Sequence, residues 1–254
     1  LFAKPDAARL LRETMAKLSY RPAPIAMGTN TDPYQPIEAR YRITRQVLEL
    51  CLETRHPVTI TTKSDRVLAD LDLLAELARH GLTAVGISVT SLDPQLSRSL
   101  EPRAATPMRR LAALARLVDA GVPAHVSVAP VIPAITDEFI ERILLEASER
   151  GVKSASWIML RLPHEVAPLF REWLEVHFPD RAGKVMGIVR EIRGGRDNDP
   201  GFHTRMKPQG VWADVFRSRF RNACARLGIN AGGHPELTVA HFRRPAPGGQ
   251  LSLL

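Results

Sequence analysis

Five short apolar runs punctuate the chain, at residues 24–27, 58–62, 84–89, 124–129 and 154–160. The second, VTITT, is dense in β-branched residues, and each run ends in polar or Gly/Pro residues, so each reads as a strand. Between them the apolar positions recur at helical spacing. Leu10, Leu11, Met15 and Leu18 mark a helix over 3–18, and Tyr41, Val47, Leu48 and Cys51 mark one over 37–54. Further helices are predicted over 67–80, 107–120 and 137–150, stopped by Gly81, Gly121 and Gly151. Pro94 opens a shorter turn. The units repeat at roughly 30–40 residues, the size of a βαβ element. The strands look like near-continuous apolar runs, as expected of parallel strands buried on both faces. The fold class is therefore α/β, with a parallel (β/α) barrel, whole or partial, as the leading architecture and a doubly wound open sheet as the alternative. No GxGxxG follows any strand, so the dinucleotide fingerprint is missing.

The pattern changes after His164. Helices are predicted over 168–178, 185–193 and 212–227, the last basic and amphipathic, with Phe216, Phe220, Ala223 and Leu227 on one face. Residues 193–210 are rich in Gly and charge without periodicity and read as a loop. The tail from Ala231 is Pro/Gly-rich and expected to be extended. We divide the chain into 1–165, the barrel, and 166–254, a mostly helical basic extension. Charge supports the division. Residues 1–180 carry 22 Lys/Arg and 22 Asp/Glu, whereas 181–254 carry 13 and 5, so the whole net charge of +8 lies in the last part. Such asymmetry suggests a polyanionic partner such as nucleic acid, the plainer alternative being a solvated basic face. Cys51 and Cys224 both sit in helical patterns and read as core residues, which excludes a disulfide framework and fits a reducing compartment. No apolar run nears the roughly 20 residues of a membrane span, and no signal-peptide pattern is present, so a cytoplasmic location is expected. The chain opens on Leu1 rather than Met and is expected to be a fragment of a longer one.

Candidate chemistry gathers at the strand ends. The first run breaks into Gly28-Thr29-Asn30-Thr31-Asp32-Pro33, the second ends at Thr62-Lys63, the third at Ser88 with Thr90, the fourth at Ala129-Pro130 and the fifth at Arg161. In a parallel barrel these share one rim, where active sites are built. The rim offers hydroxyls, an amide, a carboxylate and cations, which suits a zwitterionic, hydroxyl-rich ligand such as an amino-acid nucleoside. Arg161 or Lys63 could take its carboxylate, Arg being the better fork. Taken singly each residue has a plainer role: Asp32 as a cap, Lys63 as a surface lysine, Ser88 bonded to backbone, Arg161 paired with Glu165. A strand-end lysine is also what a Schiff-base enzyme would use.

The runs MGTNTDPYQPIEARYRITRQVLE, PVTITTKSDRVLADLDLLAELA, GISVTSLDPQLSRSLEPRAATPMRRLAAL and VAPVIPAITD, with RLPHEVAPLFREWLEVHFPDRA and RGGRDNDPGFHTRM, resemble radical S-adenosylmethionine (radical SAM) proteins of the branch related to spore photoproduct lyase. The resemblance covers nearly the whole chain. It implies a partial barrel of radical SAM type with about five of six β/α units present, and S-adenosylmethionine as cofactor. A [4Fe–4S] cluster on a three-cysteine loop would cleave that cofactor to a 5′-deoxyadenosyl radical for hydrogen abstraction. It also implies an electron donor such as a flavodoxin or ferredoxin, and lyase-like chemistry with DNA repair as a candidate role. By position, Gly28, Thr29, Asn30, Thr31 and Asp32 match the motif that meets the methionyl amino group. Lys63 and Ser88 match cofactor contacts, Ala129 a backbone contact, and Leu160, Arg161 and Leu162 the segment passing the adenine. The departure is in the cysteines. No CxxxCxxC is present, the cluster ligands are expected upstream of Leu1, and this chain as it stands is expected to be inactive in radical chemistry. A nucleic-acid-binding module on a barrel scaffold is the alternative function.

Overall fold

The computed structural model describes residues 3–233 and 236–246. Its centre is a sheet of five parallel strands: β1 (Ile25–Met27), β2 (Val58–Thr62), β3 (Thr83–Ser88), β4 (Ala124–Val131) and β5 (Ser154–Met159). They are hydrogen-bonded in chain order, β1 to β5. A doubly wound sheet would reverse direction at a switch point. Here every crossover steps one strand over in the same sense, which is barrel topology.

Around the sheet run α1 (Ala7–Ala16), α2 (Glu38–Tyr41), α3 (Ile43–Glu53), α4 (Leu71–Arg79), α5 (Pro94–Leu100), α6 (Pro107–Asp119), α7 (Ile140–Glu149), α8 (Val166–His177), α9 (Pro179–Glu191) and α10 (Gly210–Leu227). The crossover helices α3, α4, α6 and α7 fall on one face of the sheet, because parallel connections are right-handed. The helix predicted over 37–54 breaks at Arg42, whose φ is 47°. The Glu38 carboxylate accepts the Thr44 amide at 2.9 Å, giving α3 its own start. Two other predicted helices begin as 3-10 turns, Asp65–Asp70 and Asp137–Phe139. Residues 194–209 lack regular helix or strand, as their composition predicts.

The expectation of strands apolar on both faces needs correction. Register places Ile60 beside Val85 and Ile87 beside Val126, and these face the helices fully buried. The opposite face carries Thr61, Gly86, His125 and Ser154 in one row and Ser88, Ser127 and Ser156 in the next. His125 bonds the Ser154 hydroxyl at 2.8 Å and the Ser156 hydroxyl at 2.7 Å. With all crossover helices on one side, only that side must be apolar; the inner face of a partial barrel is free to be polar.

The C-terminal helices pack back on the barrel. Arg219 of α10 grips α7, donating from Nε to Glu141 at 2.8 Å and from Nη1 to Asp137 at 3.1 Å. The Asn230 side chain accepts the Ala155 amide at 2.8 Å and donates to its carbonyl at 2.9 Å, pairing the outer edge of β5 as a further strand would. Beyond it, Thr238 bonds Gly81 and Arg243 bonds Thr54, so the segment crosses the amino ends of the strands. The Phe242 ring lies 5.8 Å from Tyr20 and 5.5 Å from His56. Residues 234–235 and 247–254, part of the tail expected to be extended, lie outside the described residues.

Candidate functional site at the strand ends

The loop after β1 is shaped by Gly28. Its φ of 91° suits glycine, and a Cβ there would run into the Thr61 carbonyl oxygen of β2. The chain then turns so that Thr29, Asn30 and Thr31 stand exposed at the rim. Asp32 ties the loop to β2. Its carboxylate accepts the Tyr34 amide at 2.8 Å, the Thr62 hydroxyl at 2.7 Å and the Lys63 amide at 2.8 Å. Both oxygens are therefore engaged in holding two strand ends in register. Tyr34 is a packing aromatic, 4% exposed, with its hydroxyl donating to Asp70 at 3.1 Å.

Between these loops and the α5–α6 connector lies an open cleft of about 700 Å³, lined by Thr31, Asp32, Lys63, Arg66, Glu101 and Arg103 among others. Lys63 Nζ makes an ion pair with Glu101. Beneath it sits Arg110, 1% exposed, which donates to Glu101 at 2.6 Å, to the Ala105 carbonyl at 2.7 Å and to the Ser88 carbonyl at 3.0 Å. Burial pushes the Glu101 carboxyl up, but the charges of Lys63 and Arg110 outweigh it and hold the group below its ordinary value. Thr90 donates to the Ala129 carbonyl at 2.9 Å and reaches Glu101 at 3.2 Å, which links the β3 and β4 ends into the same network.

Sequence reasoning missed Glu101 and Arg110. One signal was available: Arg110 falls on the apolar stripe of α6 with Leu114 and Leu117, where a cation must have a partner. Ser88 lies at the rim end of the inner row, 5% exposed. Ala129 precedes a cis peptide bond to Pro130. Leu160 and Leu162 are buried, and the Leu160 carbonyl accepts Arg193 at 3.0 Å. Arg161 does not pair with Glu165; its Nη1 reaches Met206. The β1 and β2 ends and the α5–α6 connector thus converge on one cleft, to which Arg110 and Thr90 tie the β3 end, while Arg161 stands at the opposite edge of the rim.

A model of the radical SAM superfamily matches residues 9–147. The chain belongs to that superfamily. An uncharacterised protein of Mycobacterium tuberculosis is 32% identical over 189 residues, 74% of this chain and 56% of the relative. One from Methanocaldococcus jannaschii is 28% identical over 157 residues, 61% of this chain and 57% of the relative. The chain thus spans little more than half the length of these relatives. In structure it is similar to spore photoproduct lyase complexed with dinucleoside spore photoproduct, with a TM-score of 0.62 and 16% identity over 88% of this chain and 64% of that one. Streptococcus suis SuiB bound to precursor peptide SuiA gives a TM-score of 0.52 and 16% identity, over 89% and 40%. At such identity these share the fold.

Radical SAM membership implies S-adenosylmethionine and a [4Fe–4S] cluster, and this sequence can be tested against each. The rim cleft, with a cation, a carboxylate and an exposed hydroxyl, fits an amino-acid nucleoside. The cysteines do not fit a cluster. Cluster iron needs closely spaced thiolates. Cys51 and Cys224 are both buried, in α3 and α10, and burial pushes their thiols up to about 12 and about 11. Among the described residues no group of three His, Cys, Asp or Glu is arranged to hold a metal. None of the described helices is long and apolar enough to cross a membrane.

Proposed function

We propose that this chain forms most of the core of a radical SAM enzyme and seats S-adenosylmethionine in the cleft at the ends of β1 and β2. The carrying observation is that the family match covers the loops that build this cleft. In this reading the Gly28–Asp32 backbone and the exposed Thr29, Asn30 and Thr31 receive the methionyl end. Lys63 and Glu101, which pair with each other in the open cleft, supply its two counter-charges. Asp32 acts through the backbone, fixing the loop that meets the ligand. Ser88, Ala129 and the backbone of Leu160, Arg161 and Leu162 continue the contact around the rim toward the nucleoside. When bound together, the cofactor and a [4Fe–4S] cluster supply a hydrogen-abstracting 5′-deoxyadenosyl radical. The cluster ligands would lie outside this sequence, and a flavodoxin or ferredoxin would be the electron donor. The substrate is a nucleic acid, a reading that rests on the basic excess after residue 180.

Two measurements test this. Calorimetric titration of the chain with S-adenosylmethionine should show binding that weakens about tenfold in Lys63→Ala, a loss of one charge-assisted contact. Anaerobic iron and sulfide analysis should find a cluster only on a polypeptide extended ahead of Leu1 by a three-cysteine loop. If the extended polypeptide binds no iron and the chain binds no cofactor, the enzyme reading is wrong. The nucleic-acid-binding module would then be favoured, since its basic residues are all present here.

A further inference from the structure

Three arginines, Arg161, Arg193 and Arg205, gather where residues 194–209 fold over the end of β5. Arg193 is 7% exposed, yet bonds no carboxylate; it donates to the carbonyls of Arg205 at 2.5 Å and Leu160 at 3.0 Å. Among the described residues neither Arg161 nor Arg205 has an acidic partner either. The nearby acids are shared: Asp199 lies within electrostatic reach of Arg193 but does not bond it. Asp197 is shared by Arg171 and Arg190, and Asp199 accepts the Gly201 amide at 2.8 Å. The Nε atoms of Arg161, Arg193 and Arg205 are all buried without a hydrogen-bond partner. Burial and the neighbouring Arg161 charge lower the Arg193 pKa from its ordinary value, and the Asp199 charge offsets them only in part. Arg193 is the buried one of the three and Arg161 and Arg205 are half-buried, and guanidinium N–H groups left without a bond in such places are costly to a fold. A group with several oxyanion acceptors would supply Arg161 and Arg205 with the counter-charge they lack beside Arg193, and guanidinium forks match phosphate oxygens bidentately.

A second observation stands beside the first. Phe202 on the same loop is 74% exposed, with the Arg205 guanidinium 4.9 Å from its ring centroid and the His203 ring at 5.2 Å. An exposed aromatic ring next to cations is what stacks an unpaired base.

We propose that Arg161, Arg193, Arg205 and Phe202 form a site for one nucleotide unit of a single-stranded nucleic acid, its phosphodiester on the guanidiniums and its base on the Phe202 ring. The inference rests on the nucleic-acid reading above and assigns it a place. That place is the β5 edge of the rim, across the sheet from the cofactor cleft.

The test is fluorescence anisotropy of the chain with a labelled ten-nucleotide oligothymidylate at low salt, alongside calorimetry with inorganic phosphate. Arg161→Ala and Arg205→Ala should each weaken oligonucleotide binding about tenfold and reduce the salt slope by about 0.7. Phe202→Ala should weaken it about tenfold while leaving the affinity for inorganic phosphate unchanged. Arg79→Ala, an exposed arginine on α4, should change neither. Arg205→Ala keeps the backbone carbonyl that Arg193 uses, so an unchanged melting temperature is expected. If the chain binds the oligonucleotide but the site variants bind equally well, the site is wrong and the nucleic-acid reading stands. If the chain binds no oligonucleotide, both fall. Displacement by S-adenosylmethionine but not by phosphate would give Arg161 to the cofactor and overturn the proposal.

Discussion

Glu101 shows most clearly how single residues hold the site. It is the one acid that meets both Lys63 and the fully buried Arg110. Removing it leaves Arg110 charged, buried and unpaired, so Glu101→Ala should cost roughly 3–5 kcal/mol by urea denaturation. The pH dependence has a definite sign. The folded-state pKa is lowered, so the stabilisation is complete above the unfolded carboxyl value of about 4.3 and is lost as pH falls through the lower folded value. Glu101→Gln should be less stable at neutral pH, and its stability should fall less between about pH 5 and pH 3 than that of the parent. A variant with the parent's acid profile would remove Glu101 from the network.

At the scale of elements, the rim depends on how closely two loops approach. Gly28 allows the end of β1 to pass the Thr61 carbonyl, and Asp32 then locks it to the end of β2. Gly28→Ala carries both the positive φ and the backbone collision. It should therefore destabilise by more than about 1 kcal/mol, and by the proposed function it should weaken S-adenosylmethionine binding in calorimetry. Among the described residues, the Asn230 side chain holds the outer edge of β5. Asn230→Ala removes the pair of bonds to Ala155, and the Ala155 amide should exchange with solvent at least about tenfold faster in hydrogen-exchange measurements. No change would mean that the edge is protected by something other than Asn230.

Over the whole molecule, the last described segment, residues 236–246, acts as a strap across the amino ends of the strands, from Thr238 beside Gly81 to Arg243 beside Thr54. Phe242 is its anchor, set against Tyr20 and His56. Phe242→Ala should lower the melting temperature by an amount corresponding to at least about 1 kcal/mol, although the residue is over 180 positions from Tyr20 in sequence. Rim chemistry and floor strap lie at opposite ends of the strands, so the cofactor affinity of Phe242→Ala should match that of the parent. A loss of affinity without a loss of stability would contradict this arrangement.

While the order of the strands, barrel or doubly wound, was left to the structure, the apolar runs and their helical interludes determined the strands, their parallel character and the strand ends on which Gly28–Asp32, Lys63 and Ser88 fall. That much is local. A β-branched run between helical stripes has few other ways to bury itself. Sequence alone also showed two lone cysteines and a basic C-terminal third, both properties of composition. Only the tertiary structure decided which charges meet. Lys63 and Glu101 are 38 residues apart, and Arg193 finds Leu160 across 33. Such pairings follow from the packing of α6 and the 194–209 loop, which no local periodicity encodes. The polar inner face was likewise hidden, since His125, Ser127 and Ser156 look like interruptions of apolar runs until register aligns them in rows. Asp32 changed meaning for the same reason. A carboxylate that reads as a free rim ligand is, once β2 lies beside it, the bolt between two strands.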